Sequence, residues 1–301
     1  MDLLNHIPFG LREVDLKYVD VADVPKGRKC GCICPSCKIP LIARQGRVNR
    51  WHFAHASRKI DGIERNCEYS FFVSVRAMAK QIIESGFQFS TPGCTGYVSE
   101  RRYGMQFMES FCATKPDTIT LSNVQKECLF EETMVDIRGE VKGFPLVIYF
   151  SHPERTVPDR LEKPLNTRCG ILEIDLTRTR ALFLTKKPLF DRFDDELRTF
   201  IEGNIQAKKW IFHPRKSAAM RQARIRLKEK ITTWTPPRQR ITAKKILTSA
   251  LSVVVTSVTN AWYAKQDGQH LNMRNQTARF ARSIYIRDKL DKTRAPERWK
   301  G

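Results

Sequence analysis

The side chains best suited to chemistry stand close together near the start of the 301-residue chain. They are Cys34-Pro-Ser-Cys37, then His52-Phe-Ala-His55, then Cys67. Two cysteines with two residues between them place both thiolates on one tight turn, about right for two corners of a tetrahedron. Soft thiolate with imidazole is the donor set that Zn²⁺ prefers. Between the pairs, Ile39 to Gly46 predicts a strand and a turn, which would return the histidines to the cysteines. Zinc takes four ligands, and five are on offer: Cys34, Cys37, His52, His55 and Cys67, with Cys30 and Cys32 widening the choice. Full ligation leaves no open position for a substrate, so the expected role is structural. The competing reading is buried, apolar cysteines beside packed histidines. One Cys-x2-Cys alone would leave that reading strong; the added histidine pair and Cys67 weigh against it.

Charge is the second signal. The formal net charge is +21, with 53 Lys and Arg against 32 Asp and Glu. Residues 201–301 hold 23 of the basic residues and only 6 of the acidic ones, so nearly all the excess sits in the last third. Such a block attracts polyanions, and DNA, single- or double-stranded, is the expected partner. A solvated helical surface that only aids solubility is the bland alternative. The most apolar stretch, Ile246 to Val258, is shorter than the roughly 20 residues of a spanning helix, so no membrane is expected. The opening residues carry acids and no long apolar run, which predicts no export signal and a cytoplasmic setting. In that reducing setting, four of nine cysteines within eight residues point to metal or redox chemistry, not to disulfides.

Three sections must position these residues: a zinc-binding module over 1–67, an α/β core over 68–205 and a basic helical region over 206–301. The spacing of Phe71, Val75, Met78 and Ile82 predicts a helix over Cys67–Glu84. Strands are predicted at Tyr103–Cys112, Met134–Val141, Pro145–His152 and Gly170–Thr177. Pro188 opens a helix on which Leu189, Phe193, Leu197 and Phe200 recur at helical spacing. From about residue 206 the chain reads as helical, with Arg221, Arg224 and Lys228 on one face and Arg226 and Lys230 beside them. Pro236-Pro237 breaks it, and a second helix over Thr242–Lys265 carries the apolar stripe Leu247, Leu251, Val254, Val258 and Trp262.

These residues resemble a known family. Pro8-Phe-Gly-Leu-Arg12, Cys30-Gly-Cys-Ile-Cys-Pro-Ser-Cys37, Leu41-Ile-Ala-Arg-Gln-Gly46 and His52-Phe-Ala-His55 are similar to the N-terminal module of CoiA-like competence proteins. Ala79-Lys80, Val135-Asp136-Ile137, Ser151-His152, Leu172-Glu-Ile-Asp-Leu-Thr177 and Lys209-Trp-Ile-Phe-His-Pro214 follow in the family's order. The resemblance spans residues 7 to 215 and leaves the basic end uncovered. It implies an α/β (α+β) core similar to the restriction-endonuclease-like fold, a mixed sheet flanked by helices. It also implies phosphodiester hydrolysis with Mg²⁺ or Mn²⁺ held by carboxylates. Asp136 stands where the family's first strand acid belongs. On the next strand Val147 and Tyr149 take the places of the acid and its partner, and in the helix Phe72 and Arg76 replace the expected glutamate and histidine. One carboxylate holds Mg²⁺ poorly, since two acidic ligands plus phosphate are usual. Glu173 and Asp175, alternating on one strand face, are the candidate replacements, with Glu140 near them in sequence. His152 stands at a strand end, as a general base or as a turn cap.

Three functions follow. The first is a DNA-processing protein that binds nucleic acid through a nuclease-like fold with a depleted catalytic site; Arg221, Arg224, Lys228, Lys244 and Lys245 grip phosphate, and Trp234 or Trp262 is a candidate for stacking. The second is an active metal-dependent nuclease using Asp136 with Glu173 or Asp175. The third is an interaction scaffold that recruits a protein through the apolar face of 247–262.

Overall fold

The computed structural model describes residues 6–56, 59–60, 63–64, 67, 70–184 and 192–235. Contacts divide the chain into two compact units, residues 1–234 and 235–301. The helix expected over Thr242–Lys265, together with Lys244, Lys245 and Trp262, lies outside the described residues.

The N-terminal module is built from short strands. Strand β1 (Phe9–Arg12) lies between β2 (Tyr18–Asp20) and β3 (Cys32–Ile33), both antiparallel to it. Strands β4 (Leu41–Arg44) and β5 (His52–His55) pair antiparallel, and β6 (Lys59–Ile60) pairs with β7 (Ile63–Glu64). A bridge from Ile7 to Phe53 ties the two halves. Ile7, Val19, Leu41, Ala43 and Phe53 are buried together, a small core of the kind that a structural metal supplements. The halves approach closely at Gly10, where an added Cβ would stand 2.9 Å from the Cβ of Cys32 and 3.2 Å from the Phe53 ring.

Helix α1 (Ser70–Ile82) presents Phe71, Val75, Met78 and Ala79 to the interior, and the period read from the sequence is the period of its buried face. Strands β8 (Gln88–Thr91) and β11 (Asp117–Thr120) pair with each other. Between them runs the long hairpin of β9 (Cys94–Arg102) and β10 (Met105–Thr114). Its two-residue turn, Tyr103-Gly104, has positive φ at both positions, as the twist of a tight hairpin requires.

Strand β12 (Ser122–Phe130), β13 (Thr133–Val141) and β14 (Phe144–Ser151) form an antiparallel meander. A short helix α2 (Asp159–Glu162) leads to β15 (Gly170–Asp175), which lies parallel to β14. Helices α3 (Thr179–Leu184) and α4 (Phe193–Gly203) precede β16 (Lys208–Phe212), antiparallel to β15. The sheet order is therefore β12-β13-β14-β15-β16, a mixed sheet flanked by helices. One face packs Ile137, Ile148, Phe150, Leu172 and Ile174 against α1, α3 and α4. The other packs Val147, Tyr149 and Ile171 against Leu161 of α2, Cys169 and Phe130. Helix α5 (Lys216–Thr233) closes the described chain. Residues 208–212 form a strand, whereas the sequence reading carried helix through them; Lys208 and Trp210 are held by bonds to Ser90 O and Pro92 O that no local pattern reveals.

The module is bound to the sheet at α4. The Asp20 carboxylate accepts from the backbone N–H of Phe193 (2.9 Å) and Asp194 (3.4 Å), closing a helix whose own N-cap, Arg192, supplies no side-chain bond. Arg50 reaches Glu196 (2.8 Å) and Phe183 O (3.0 Å), and Phe9 stacks on Phe193 with centroids 5.5 Å apart.

Candidate metal centre and nucleic-acid interface

The knuckle forms because Lys38 N donates to Cys34 O (3.0 Å) and Cys34 N to Ile39 O (2.8 Å), with Lys38 in the left-handed region. Strand β4 starts at once from that turn, and its register pairs Leu41 with His55, so β5 delivers His55 to the cysteines. The ligand atoms of Cys34, Cys37, His55 and Cys67 all lie within 4.8 Å of one another. Zn–S bonds of about 2.3 Å put tetrahedral sulfurs about 3.8 Å apart. Cys34 and Cys67 sulfurs are 3.7 Å apart, and Cys37 Sγ is 3.2 Å from His55 Nε2. The donor set and its spacing fit a metal such as zinc.

The same crowding shifts the thiols in opposite directions. The hydrogen bond from Cys34 holds the Cys67 thiol far below its usual range, to about 3. That contact, with burial, pushes the Cys34 thiol up, and burial raises that of Cys37. Thiols crowded in this way release protons to a cation.

Of the five residues offered by the sequence, His52 stands apart. Its Nδ1 lies 2.8 Å from Arg50 O, its ring is 3.9 Å from that of His6, and burial lowers its pKa to about 4. Cys30 and Cys32 turn their thiols to Leu41 O (3.2 Å) and Cys30 O (3.3 Å). Strand alternation separates their roles, since His52 and His55 are three apart and face different ways.

Asp136 is wholly buried. Its Oδ1 accepts from Arg76 Nε (2.5 Å); its Oδ2 accepts from Phe150 N (2.8 Å) and Arg155 Nη1 (2.8 Å). The pairing of β13 with β14 ends at Ile137–Ile148, and beyond it the Asp136 carboxylate replaces a strand partner for Phe150. Arg155 occupies the fork, donating also to Phe150 O and to Met134 O. Its ring neighbour is Tyr149, 3.7 Å from the guanidinium. A divalent ion 4 Å from a guanidinium would meet about 8 kcal/mol of repulsion at an effective dielectric of about 20. Two such groups stand here.

Glu173 accepts from Ser151 Oγ (2.6 Å), and Asp175 from Thr177 N (2.8 Å). Both line a cavity of about 630 Å³ with His152, Lys209 and Lys216, which Asp136 does not line. Among the described residues, only the Cys34 cluster brings three or more Cys, His, Asp or Glu donors within ligating distance. Glu140 pairs with Ser122 across the strands and accepts from Asn123. His152 closes a turn through backbone bonds with Arg155, stacks on Phe72 and has its pKa lowered by burial.

On α5, Ala223 and Leu227 pack against Val98, Phe107 and Phe111 of the hairpin. Arg226 donates to Glu109 (3.1 Å) and Ser110 O (2.9 Å), and Lys230 to Met108 O (3.2 Å). Arg221, Arg224 and Lys228 are exposed and make no ion pair among the described residues. Trp234 stacks on Tyr103 and meets the edge of Phe107, so its ring belongs to the hairpin–helix packing. The role of Arg155 was not read from the sequence, because only the turn at His152 brings it back to Asp136.

Residues 17–60 match the family model described as competence protein CoiA, N-terminal domain. The match takes in Cys34, Cys37 and His55 of the metal centre and stops short of Cys67; over those residues the chain is similar to that domain. No curated protein and no solved structure matches the chain. No helix among the described residues is long and apolar enough to cross a membrane.

Proposed function

We propose that this protein binds nucleic acid in DNA processing, on a nuclease-like fold whose catalytic position has been converted into a structural ion-pair knot. The carrying observation is the environment of Asp136, a buried carboxylate satisfied by two guanidiniums and a backbone N–H. The positions beside it support the same reading: Val147 and Tyr149 are core residues under α2, not ligands. A metal-dependent nuclease needs clustered, uncompensated negative charge around its ion. Binding then falls to phosphate contacts, for which Arg221, Arg224 and Lys228 are placed on an exposed helix face, with Lys244 and Lys245 continuing the basic sequence. Such contacts neutralise the backbone without reading bases, so affinity has little sequence preference and falls steeply with salt. The Cys34, Cys37, His55 and Cys67 site holds zinc in a structural role, and Mg²⁺ or Mn²⁺ has none.

The test is incubation of the full chain with single- and double-stranded DNA in Mg²⁺ and in Mn²⁺, read for both binding and cleavage. Salt-dependent binding without cleavage is expected. Cleavage that disappears in Asp136→Ala would establish the active nuclease instead, and no binding at low salt would favour a protein scaffold working through the 247–262 segment.

A further inference from the structure

The two outer edges of the β9–β10 hairpin are treated differently. Its two-residue turn makes Arg102 and Met105 a hydrogen-bonded pair, which sets the alternation along the ribbon. The backbone groups of Tyr97 and Ser99 on β9, and of Ser110 and Met108 opposite them, therefore point outward. On the β10 side α5 takes up those groups: Arg226 donates to Ser110 O (2.9 Å) and Lys230 to Met108 O (3.2 Å). On the β9 side the outward N–H and C=O of Tyr97 and Ser99 have no partner among the described residues. Strand β12, an edge of the five-stranded sheet, is guarded in another way. Asn123 and Glu127 are left-handed there, and Val124 N donates to Ser85 Oγ (3.3 Å). An unguarded strand edge is a template for another extended segment.

The open edge is one wall of a cleft of about 330 Å³ and runs from Tyr97 to Glu100; the other wall is α5 at Met220, Arg224, Leu227 and Lys228. Alternation turns Val98 toward α5, where it is buried with Leu227, and turns the side chains of Tyr97 and Ser99 to the opposite face. What Tyr97 and Ser99 present to the cleft is thus their backbone. The floor is apolar, made by Val98 and Leu227 with Met220 beside them. Arg224 and Lys228 carry positive charge without a carboxylate partner among the described residues. The acid of the cleft, Glu100, already accepts from Arg102 Nε (2.7 Å).

We infer that an extended acidic peptide docks here as a third strand, pairing with the β9 edge through the backbone of Tyr97 and Ser99. Main-chain bonds then hold the peptide, and alternate side chains give it specificity. The peptide residue opposite Val98 faces α5, so an apolar side chain there meets Leu227 and Met220. Residues two places to either side face the same way and reach Arg224 and Lys228, so the motif is acid-x-apolar-x-acid. A second copy of this chain would fit the edge but would bring the Arg224 and Lys228 of both copies to one seam, which like charge disfavours. A nucleic acid would satisfy the cations but has no row of amides for the Tyr97 and Ser99 carbonyls. The inference does not need the nucleic-acid reading; because both use Arg224 and Lys228, peptide and DNA exclude each other at this place.

Fluorescence anisotropy on the full chain tests this with the labelled heptapeptide Thr-Asp-Thr-Val-Thr-Glu-Thr, a version with lysine for both acids, and duplex DNA. The acidic peptide is expected to bind and the lysine version not. Ser99→Pro removes an outward N–H and no bond of the hairpin ladder, so it is expected to weaken the peptide at least about tenfold and leave DNA affinity unchanged. Thermal unfolding of Ser99→Pro at the parent temperature excludes a folding defect. N-methylation of the peptide gives a second reading that leaves the protein untouched: methyl groups on one alternate set of amides are expected to abolish binding, and on the other set to leave it unchanged. No binding of the acidic peptide at about 1 mM overturns the inference, whatever DNA does. Equal binding by both methylated sets overturns pairing at the strand edge. A parent that dimerises in sedimentation while Ser99→Pro stays monomeric gives the edge to a second copy instead, and DNA binding lost in a folded Ser99→Pro gives the cleft to nucleic acid.

Discussion

The knuckle at Cys34 and the strand fork at Asp136 are the two places where the sequence raised the expectation of a metal, and they have opposite electrostatics. At the knuckle, three sulfurs and an imidazole face one another within 4.8 Å. At the fork, one carboxylate is surrounded by two guanidiniums and an amide. The first cluster has anionic capacity without a counter-charge of its own and gains by taking a cation. The second already contains its cations, in fixed side chains. A metal site is thus recognised less by the presence of an acid than by negative charge that the protein leaves uncompensated.

The largest effect that could break this contrast is loss of the knuckle metal. Chelation, or Cys34→Ala, is expected to remove bound zinc and unfold the N-terminal module, since structural zinc contributes on the order of 10 kcal/mol to small domains. Metal analysis with thermal unfolding checks it, and a metal-free protein of unchanged stability would remove the site. His55→Ala and His52→Ala sharpen the point: the first is expected to lose the ion and the second to keep it. Acidification is expected to release zinc, because protons compete for thiolates and imidazole.

At the fork the expected change is smaller. Asp136→Ala leaves Phe150 N without its acceptor and the half-buried guanidiniums of Arg76 and Arg155 without their carboxylate, and is expected to cost about 3 kcal/mol, read as a fall in the urea midpoint. Mg²⁺ is expected to leave the parent's unfolding temperature unchanged; a clear rise would mean that the fork binds a divalent ion after all. Leu227→Ala, which strips the α5–hairpin contact, is expected to cost about 2–3 kcal/mol. Smallest in stability are Arg224→Ala and Lys228→Ala, within about 0.5 kcal/mol of the parent. Each is nonetheless expected to reduce the slope of log affinity against log salt by about 0.7–0.9.

The sequence made the strongly patterned parts legible. Helix α1, the strands β13, β14 and β15 and the second half of the hairpin carry the apolar spacing of their buried faces. Strand β12 does not, because it is exposed along most of its length at the edge of the sheet, where little burial enforces alternation. At the metal centre, residue types named five candidates but not which histidine points inward; that depends on the β4–β5 register. At the fork the resemblance marked the missing acid at 147 and its missing partner at 149 but not the substitute. Arg155 reaches Asp136 through a turn, and turn geometry leaves no periodic trace.

The bond from Asp20 to the first turn of α4 has an outcome for how the molecule comes apart. That helix borrows its N-terminal acceptor from a strand 173 residues earlier, so its start is only as firm as the strand that lends it. Demetallation is therefore felt at both ends of that bridge. Amide exchange at Phe193 and Asp194 should speed up alongside exchange in β1 and β2, as one cooperative opening spanning distant parts of the chain.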